Sequence, residues 1–263
     1  MPLTFTDQMN RPVPLDAPPQ RIVSLVPSQT ELLYDLGLDE QVVGITKFCV
    51  HPKRWFRTKQ RIGGTKQVHL DRMAQLQPDL IIGNKEENTR EDITALAGQW
   101  PVWMSDIYHL SDALDMIRKL GQVCDRTSRA HELAGQIQAA FRQIPTPSSP
   151  RPRVLYLIWR KPYMAVAKNT FIDDMLTQAG FSNALSDQER YPELTEQDIH
   201  TIAPDCVFLS SEPYPFRQKH LNELQALCPQ AALHLVDGEL FSWYGSRLLR
   251  APAYFRQLRQ AVG

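Results

Sequence analysis

Three stretches of this chain gather rings, carboxylates and cations: Trp159-Arg160-Lys161-Pro162-Tyr163, Glu212-Pro213-Tyr214, and Glu239-Leu240-Phe241-Ser242-Trp243-Tyr244-Gly245-Ser246-Arg247. The first half offers a comparable set in Pro27-Ser28-Gln29, Phe48, Trp55-Phe56, Lys85-Glu86-Glu87-Asn88 and Asp106-Ile107-Tyr108. Rings supply contact area at low entropy cost, and Arg or Lys pairs acidic groups. Such a set suits a large, flat ligand with several polar groups. Trp243-Tyr244 sit among Ser and Gly and read as contact residues. Trp103 lies inside an apolar run and reads as core.

The same residues permit a second chemistry. Glu86 and Glu212, or a histidine, would serve as acid and base in a hydrolase or transferase. Against this, the chain has no GxGxxG, no Walker loop, no HExxH and no GxSxG. Its seven histidines share no metal-ligand spacing. His51 and His109 fall near strand ends and could reach a cleft; His131 and His200 fall in helical patterns. Gly63-Gly64-Thr65-Lys66 does not open a helix after a strand, and reads as a turn rather than a phosphate loop. The four cysteines (Cys49, Cys124, Cys206, Cys228) are scattered, with Cys124 and Cys206 placed as core residues.

The elements that must carry these residues are marked by a phrase that occurs twice. His69 to Asn84 reads as a short helix, a turn at Pro78-Asp79 and a buried strand. Glu196 to Ser211 reads the same way around Pro204-Asp205. Proline disfavours helical geometry in the residue before it, and the apolar run that follows suits a central parallel strand. Each copy ends in polar residues at the strand's C-terminal end, where open α/β sheets hold ligands. Further strands are expected at Arg21–Val26, Gln41–Thr46, Pro101–Ser105, Arg153–Trp159 and Ala232–Val236. Helices are expected from Pro27 to Gly37, from Ser111 to Ile144, from Phe171 to Gly180 and from Ser246 to Val262. Gly121 and Asp125–Ser128 divide the longest of these into two in one reading. Residues 5–20, rich in proline, read as a hairpin or arm.

The fold class is therefore α/β: two α/β lobes joined by a long spanning helix, with a ligand cleft between the lobes. The expected divisions are an N-terminal lobe over 1–110, a spanning helix and boundary loop over 111–150, and a C-terminal lobe over 151–263. A chain of 263 residues, 43% hydrophobic and 22% charged, can bury the cores this requires. Its net charge is zero, which speaks against nucleic acid as a partner. No apolar run has the length of a transmembrane helix. The N-terminal residues lack the basic, apolar and cleavage segments of a secretory signal.

In combination, Arg21-Ile-Val-Ser-Leu-Val-Pro-Ser-Gln-Thr-Glu-Leu-Leu, Val42-Val-Gly-Ile-Thr, Gly63-Gly-Thr and Leu70-Asp-Arg-Met-Ala-Gln-Leu-Gln-Pro-Asp-Leu-Ile-Ile carry a resemblance. The chain resembles the vitamin B12-binding periplasmic proteins of ABC importers and, more broadly, the helical-backbone receptors for metal chelates (cobalamin, haem, siderophores). The resemblance runs from about Arg21 to Leu258. It implies a non-catalytic, monomeric binding protein without a resident cofactor, whose cargo is the chelate and whose partner is an ABC permease. Pro27 and Ser28 match the loop opening the first cleft helix, and Phe48 an aromatic position after the second strand. Lys85 and Glu86 match the loop after the Pro-Asp strand. Phe241 and Arg247 match a ring and an arginine near the last helix; Trp243 and Tyr244 share their loop without being the usual residues there. Trp159, Arg160 and Tyr214 complete the expected ligand-binding set.

Two departures accompany the resemblance. The family carries an export signal, so the compartment is periplasmic by resemblance but cytoplasmic if Met1 is the native start, and the second case describes a chelate-binding relative without a permease. The family also docks through one acidic residue per lobe. Asp71 keeps that position in the first lobe, and Gln197 occupies it in the second, flanked by Glu196 and Asp198.

Overall fold

The structure, a computed structural model, describes residues 3–145 and 150–262. Residues 146–149 of the expected boundary loop, together with Met1 and Pro2, lie outside the described residues. The chain forms two compact units. One comprises Met1–Ile107, Ser111–Gln138 and Tyr244–Arg247; the other comprises Tyr108–Leu110, Ala139–Trp243 and Leu248–Gly263.

The first lobe opens with the expected arm, an antiparallel hairpin of β1 (Leu3–Thr6) and β2 (Pro12–Leu15). Buried Asp7 holds its turn by accepting from the Met9 and Arg11 amides and pairing with the Arg11 guanidinium at 2.8 Å. β3 (Ile22–Ser24), β4 (Val42–Ile45), β5 (Gln60–Arg61), β8 (Leu80–Asn84) and β9 (Val102–Ser105) make a five-stranded parallel sheet in the order β5-β4-β3-β8-β9. β6 (Gly63–Gly64) and β7 (Gln67–Val68) form a small antiparallel hairpin, so Gly63-Gly64-Thr65-Lys66 is the turn its sequence suggests. Helices α1 (Pro27–Asp35), α2 (Lys53–Thr58), α3 (Leu70–Leu76) and α4 (Arg90–Ala97) connect the strands.

The expected long helix is two helices, α5 (Leu110–Val123) and α6 (Thr127–Arg142), which connect the two sheets along the chain. Asp125 between them has a positive φ of 53°. Gly121 explains the tight joint: a Cβ there would collide with the Ala130 side chain, so only glycine lets α6 fold back this closely. α5 buries Leu114, Ile117, Leu120 and Val123, the residues whose spacing marked it as a helix.

The second lobe contains β10 (Arg153–Trp159), β11 (Tyr163–Ala165), β12 (Ser182–Asn183), β13 (Glu193–Leu194), β14 (Cys206–Ser210) and β15 (Ala232–Val236). Its sheet runs β13-β11-β10-β14-β15, with β12 also on β10. The β10, β14 and β15 neighbours are parallel; β11 is antiparallel to β10 and to β13. Helices α7 (Phe171–Gln178), α8 (Glu196–Ile202), α9 (Gln218–Leu227), α10 (Glu239–Ser242) and α11 (Ala251–Val262) complete it. Residues Ser246–Leu249 form a 3-10 turn rather than the start of the closing helix. Pro252 lies in the first turn of α11, where its missing N–H is no loss.

The duplicated phrase is duplicated in structure. α3 and α8 are both seven residues long, and both end on a left-handed residue before proline, Gln77 at φ 42° and Ala203 at φ 45°. Each aspartate reaches beyond its own turn to the start of the neighbouring strand. Asp79 accepts from the amides of Gln20 and Arg21 at 2.7 and 2.8 Å, and Asp205 from that of Arg153 at 2.7 Å. Each arginine answers by donating to the end of the helix: Arg21 to the Leu76 carbonyl, Arg153 to those of Ile202 and Ala203. A cation at a helix C-terminus satisfies carbonyls that the helix leaves open and complements its dipole. β8 and β14, the strands these clamps start, are buried along their whole length, as strands covered on both faces are.

Candidate binding site

In the first lobe, β3 runs into α1, whose first turn is Pro27, Ser28 and Gln29. Pro27 takes the first helical position, where it costs no hydrogen bond. A buried polar layer ties the strand ends beside it. Gln29 Nε2 donates to Ser105 Oγ at 2.6 Å, and Asn84 Nδ2 donates to the same oxygen at 2.9 Å. Asn84 Oδ1 also accepts from the amides of Glu86 and Glu87, which shapes the loop carrying Lys85 and Glu86. Lys85 pairs with Asp106 at 2.6 Å, and both Lys85 and Glu86 are exposed. Phe48 is 51% exposed, with the Lys47 ammonium 5.1 Å from its ring. At the next residue, Thr30 and Thr46 hydrogen-bond the Cys49 sulfur at 3.1 Å, and burial pushes that thiol's pKa up.

Residues Tyr244–Arg247 belong to this same unit. A Cβ on Gly245 would meet the Ser28 carbonyl at 2.5 Å, so a glycine is needed for this segment to lie on α1. The approach delivers Arg247 to Glu31 of α1. Its Nε and Nη2 donate to the two carboxylate oxygens at 2.8 and 2.7 Å, a bidentate pair with both residues buried. The Arg247 fork thus engages a partner of its own chain. The buried Ser28 and Ser246 hydroxyls have no hydrogen-bond partner among the described residues. Tyr244 is buried as well.

In the second lobe, Trp159 ends β10 and is 40% exposed. Its ring stands edge-on to Tyr214 with centroids 5.7 Å apart, and Tyr214 continues into Phe216 at 4.8 Å and His220 at 5.5 Å. The Arg217 amide donates to His220 Nδ1 at 2.8 Å. The ring proton therefore sits on Nε2, which donates to the Tyr214 hydroxyl oxygen at 3.3 Å. Burial, then Lys219, pushes the His220 pKa down and keeps the ring neutral. Arg160 pairs with Glu223 at 2.6 Å beside this cluster.

Phe241 lies at the centre of a ring core, 4.8 Å from Phe255 and 5.2 Å from Tyr156, and is fully buried. Trp243 is 7% exposed, and its Nε1 donates to Glu212 Oε1 at 3.0 Å. Ser242 donates to the same oxygen at 2.6 Å. Burial raises the Glu212 pKa more than these two donors lower it. Among the described residues no three His, Cys, Asp or Glu side chains converge on a possible metal position. His109 pairs with Asp174 at 3.8 Å, and His131 and His200 are exposed on helices.

Asp71 and Gln197 occupy equivalent places, each the second residue of its helix and each exposed. Asp198 is committed to a capping box with Thr195, accepting from its amide at 2.8 Å and its hydroxyl at 2.7 Å. The Glu223, Glu31 and Asp106 partners of the expected cations are what sequence reading missed, since no spacing signals them.

Residues 22–227 match the model of a periplasmic binding protein family. An uncharacterised ABC transporter substrate-binding lipoprotein of Bacillus subtilis (strain 168) is 26% identical over 216 residues, covering 78% of this chain and 68% of the relative. The vitamin B12-binding protein of Vibrio campbellii is 24% identical over 214 residues, covering 80% of this chain and 76% of the relative. The apo structure of a periplasmic heme-binding protein from Roseiflexus sp. RS-1 superposes with a TM-score of 0.81 at 23% identity, over 93% of this chain and 99% of that one. Two α/β lobes, polar strand ends and a family match over most of the chain define the class. The chain belongs to the periplasmic binding protein family, within the substrate-binding superfamily of ABC transporters.

Proposed function

We propose that this protein is the non-catalytic, monomeric substrate-binding component of an ABC-type importer, and that its cargo is cobalamin or a related metal chelate such as haem or a siderophore complex. The observation that carries the reading is the ring pair of Trp159, 40% exposed at the end of β10, and half-buried Tyr214, beside the Arg160–Glu223 pair. A flat macrocycle with acidic side groups is the ligand such rings and cations suit. The names of the relatives support the same class, since they include a vitamin B12-binding and a heme-binding protein. In the first lobe Phe48, Lys85 and Glu86 are the exposed candidates, and Pro27 and Ser28 open α1. Trp243, Tyr244, Phe241 and Arg247, the remaining members of the expected set, are buried.

A native-state binder raises the melting temperature by mass action. Thermal unfolding in the presence of cyanocobalamin, haemin, a ferric siderophore and bare divalent ions tests the proposal. A chelate is expected to raise the midpoint. A shift with bare ions alone would overturn the chelate assignment.

The importer role places the protein in the periplasm and gives it a permease partner. Asp71 is the proposed contact acid of the first lobe. In the second lobe, Gln197 holds the equivalent position and Asp198 is engaged by Thr195, which leaves Glu196 as the neighbouring carboxylate. Fractionation of cells expressing the native gene tests the compartment, with processed chain expected in the periplasmic fraction.

A further inference from the structure

The chain is neutral overall, but residues 53–72 carry seven Lys and Arg against one carboxylate, Asp71. The fold brings three of these cations together at the open edge of the first lobe's sheet. Beside the edge strand β5 lies a cavity of about 510 Å³ lined by Lys59, Gln60, Arg61, Arg72, Gln75 and Leu76. The charged side chains of that wall are all cations, and the two glutamines add neutral amide donors.

Arg61 and Arg72 are oriented by carbonyl oxygens, and Lys59 shares one carboxylate with Arg54. Arg72 donates to the Arg61 carbonyl at 2.8 Å, and Arg61 to the Lys59 carbonyl at 3.4 Å. The Arg61 guanidinium also lies 4.3 Å from the Phe56 ring centre, and the Lys59 ammonium donates to the Asp39 carbonyl. A carbonyl oxygen fixes the direction of a cation but carries no net charge to cancel it. Asp39 is the carboxylate near Lys59, at 3.9 Å, and it is shared with Arg54 at 2.7 Å and with the Trp55 indole. The carbonyl end of α3 at Leu76, the negative pole beside this wall, is already capped by Arg21. Burial, with Arg54 adding to it, holds the Lys59 pKa below its ordinary range despite Asp39.

We propose that this cavity is a binding site for a phosphate-bearing anion, held by the forks of Arg61 and Arg72 and the ammonium of Lys59. Planar guanidinium forks match the oxygens of a tetrahedral oxyanion, and a lysine adds a point charge. The volume lies in the range of small-molecule pockets, which leaves room for an organic body on the phosphate. A soluble phosphate ester and the headgroup of an anionic phospholipid share this chemistry. None of the residues involved belongs to the proposed chelate surface, so the two readings stand or fall separately.

The test uses the full chain with two probes: inorganic pyrophosphate by titration calorimetry, and phosphatidylglycerol–phosphatidylcholine vesicles by co-sedimentation. At least one probe is expected to bind, more weakly as salt is raised. Arg72→Gln is expected to weaken that binding about tenfold or more, the loss of a charge-assisted contact. Lys66→Gln, which removes a charge of the same segment outside the cavity, is expected to leave most of it. Arg72 is exposed and its recorded contact is a backbone carbonyl, so an unchanged melting temperature verifies the fold of the variant. Gln75→Glu puts a carboxylate into the wall and is expected to abolish binding in its own right. Pyrophosphate binding without vesicle binding assigns a soluble ester; vesicle binding that pyrophosphate displaces assigns a headgroup. Failure of both probes, equal losses in Lys66→Gln and Arg72→Gln, or full binding by Gln75→Glu would overturn the site.

Discussion

Trp159 and Phe241 are both rings of the expected ligand-binding set, and the fold gives them opposite surroundings. Trp159 is 40% exposed at a strand end, whereas Phe241 is enclosed by Tyr156, Phe208, Tyr254 and Phe255. Trp159→Ala should weaken chelate binding by about 1–3 kcal/mol with stability nearly unchanged, as loss of an aromatic anchor does. Phe241→Ala should cost about 3–5 kcal/mol of stability before any effect on binding is read, because it opens a cavity in a packed core. Calorimetric titration and urea unfolding of the two variants separate these outcomes. Glu212 makes a second residue-scale prediction. Its pKa is raised by burial above the ordinary 4.5, so the folded state holds a proton that the unfolded state has released. Stability from this group is full below pH 4.5 and is lost as pH rises through the folded pKa. In Glu212→Gln the amide oxygen still accepts from Ser242 and Trp243 without the buried charge. The variant should therefore gain on the wild type as pH rises above 4.5, in urea unfolding midpoints measured across that range.

At the scale of elements, the two helix–Pro-Asp–strand phrases act as matched clamps. Asp79 and Asp205 each anchor the start of a neighbouring strand through its amides, while Arg21 and Arg153 close the helix ends. A carboxylate accepting from backbone amides is comparable to a helix N-cap, and its removal costs about 0.5–2 kcal/mol. Asp79→Ala and Asp205→Ala should each lower the urea unfolding midpoint by an amount in that range. Equal midpoints in wild type and variants would show that the clamp contributes nothing. The repeat was legible from proline, aspartate and the apolar runs. The arginines were visible too, Arg21 directly before β3 and Arg153 at the start of β10. Their partners were not, because the carbonyls they cap lie 55 residues away in one lobe and 49 or 50 in the other.

For the whole molecule, the contact with a permease is proposed at the first turns of α3 and α8. Asp71 and Glu196 are exposed carboxylates there, and Asp198 is held by Thr195, which lowers its pKa. Charge pairs at such a contact set orientation and encounter rate more than affinity. Uptake of labelled chelate by cells carrying Asp71→Asn or Glu196→Gln should fall, while chelate binding by the purified variants stays at the wild-type level. A loss in Gln197→Ala greater than in Glu196→Gln would reassign the second contact. The family match covers residues 22–227, so the first-lobe phrase and the second-lobe phrase both lie within it.

Local sequence signals were enough for the architecture. Prolines that end helices, apolar runs of strand length and a repeated phrase are local signals, and the backbone obeys them locally. Two α/β lobes followed from these, as did the hairpin arm and the turn at Gly63-Gly64. The sequence also marked which residue types stand at strand ends. What those side chains touch was set by the folded arrangement. Arg247 meets Glu31 across 216 residues of chain. Phe241 is core while Trp159 is partly exposed, although both fall in stretches rich in rings. Lys59, Arg61 and Arg72 converge on one cavity in a molecule of zero net charge. Charge pairing and burial depend on distance through space, which residue spacing along the chain does not encode.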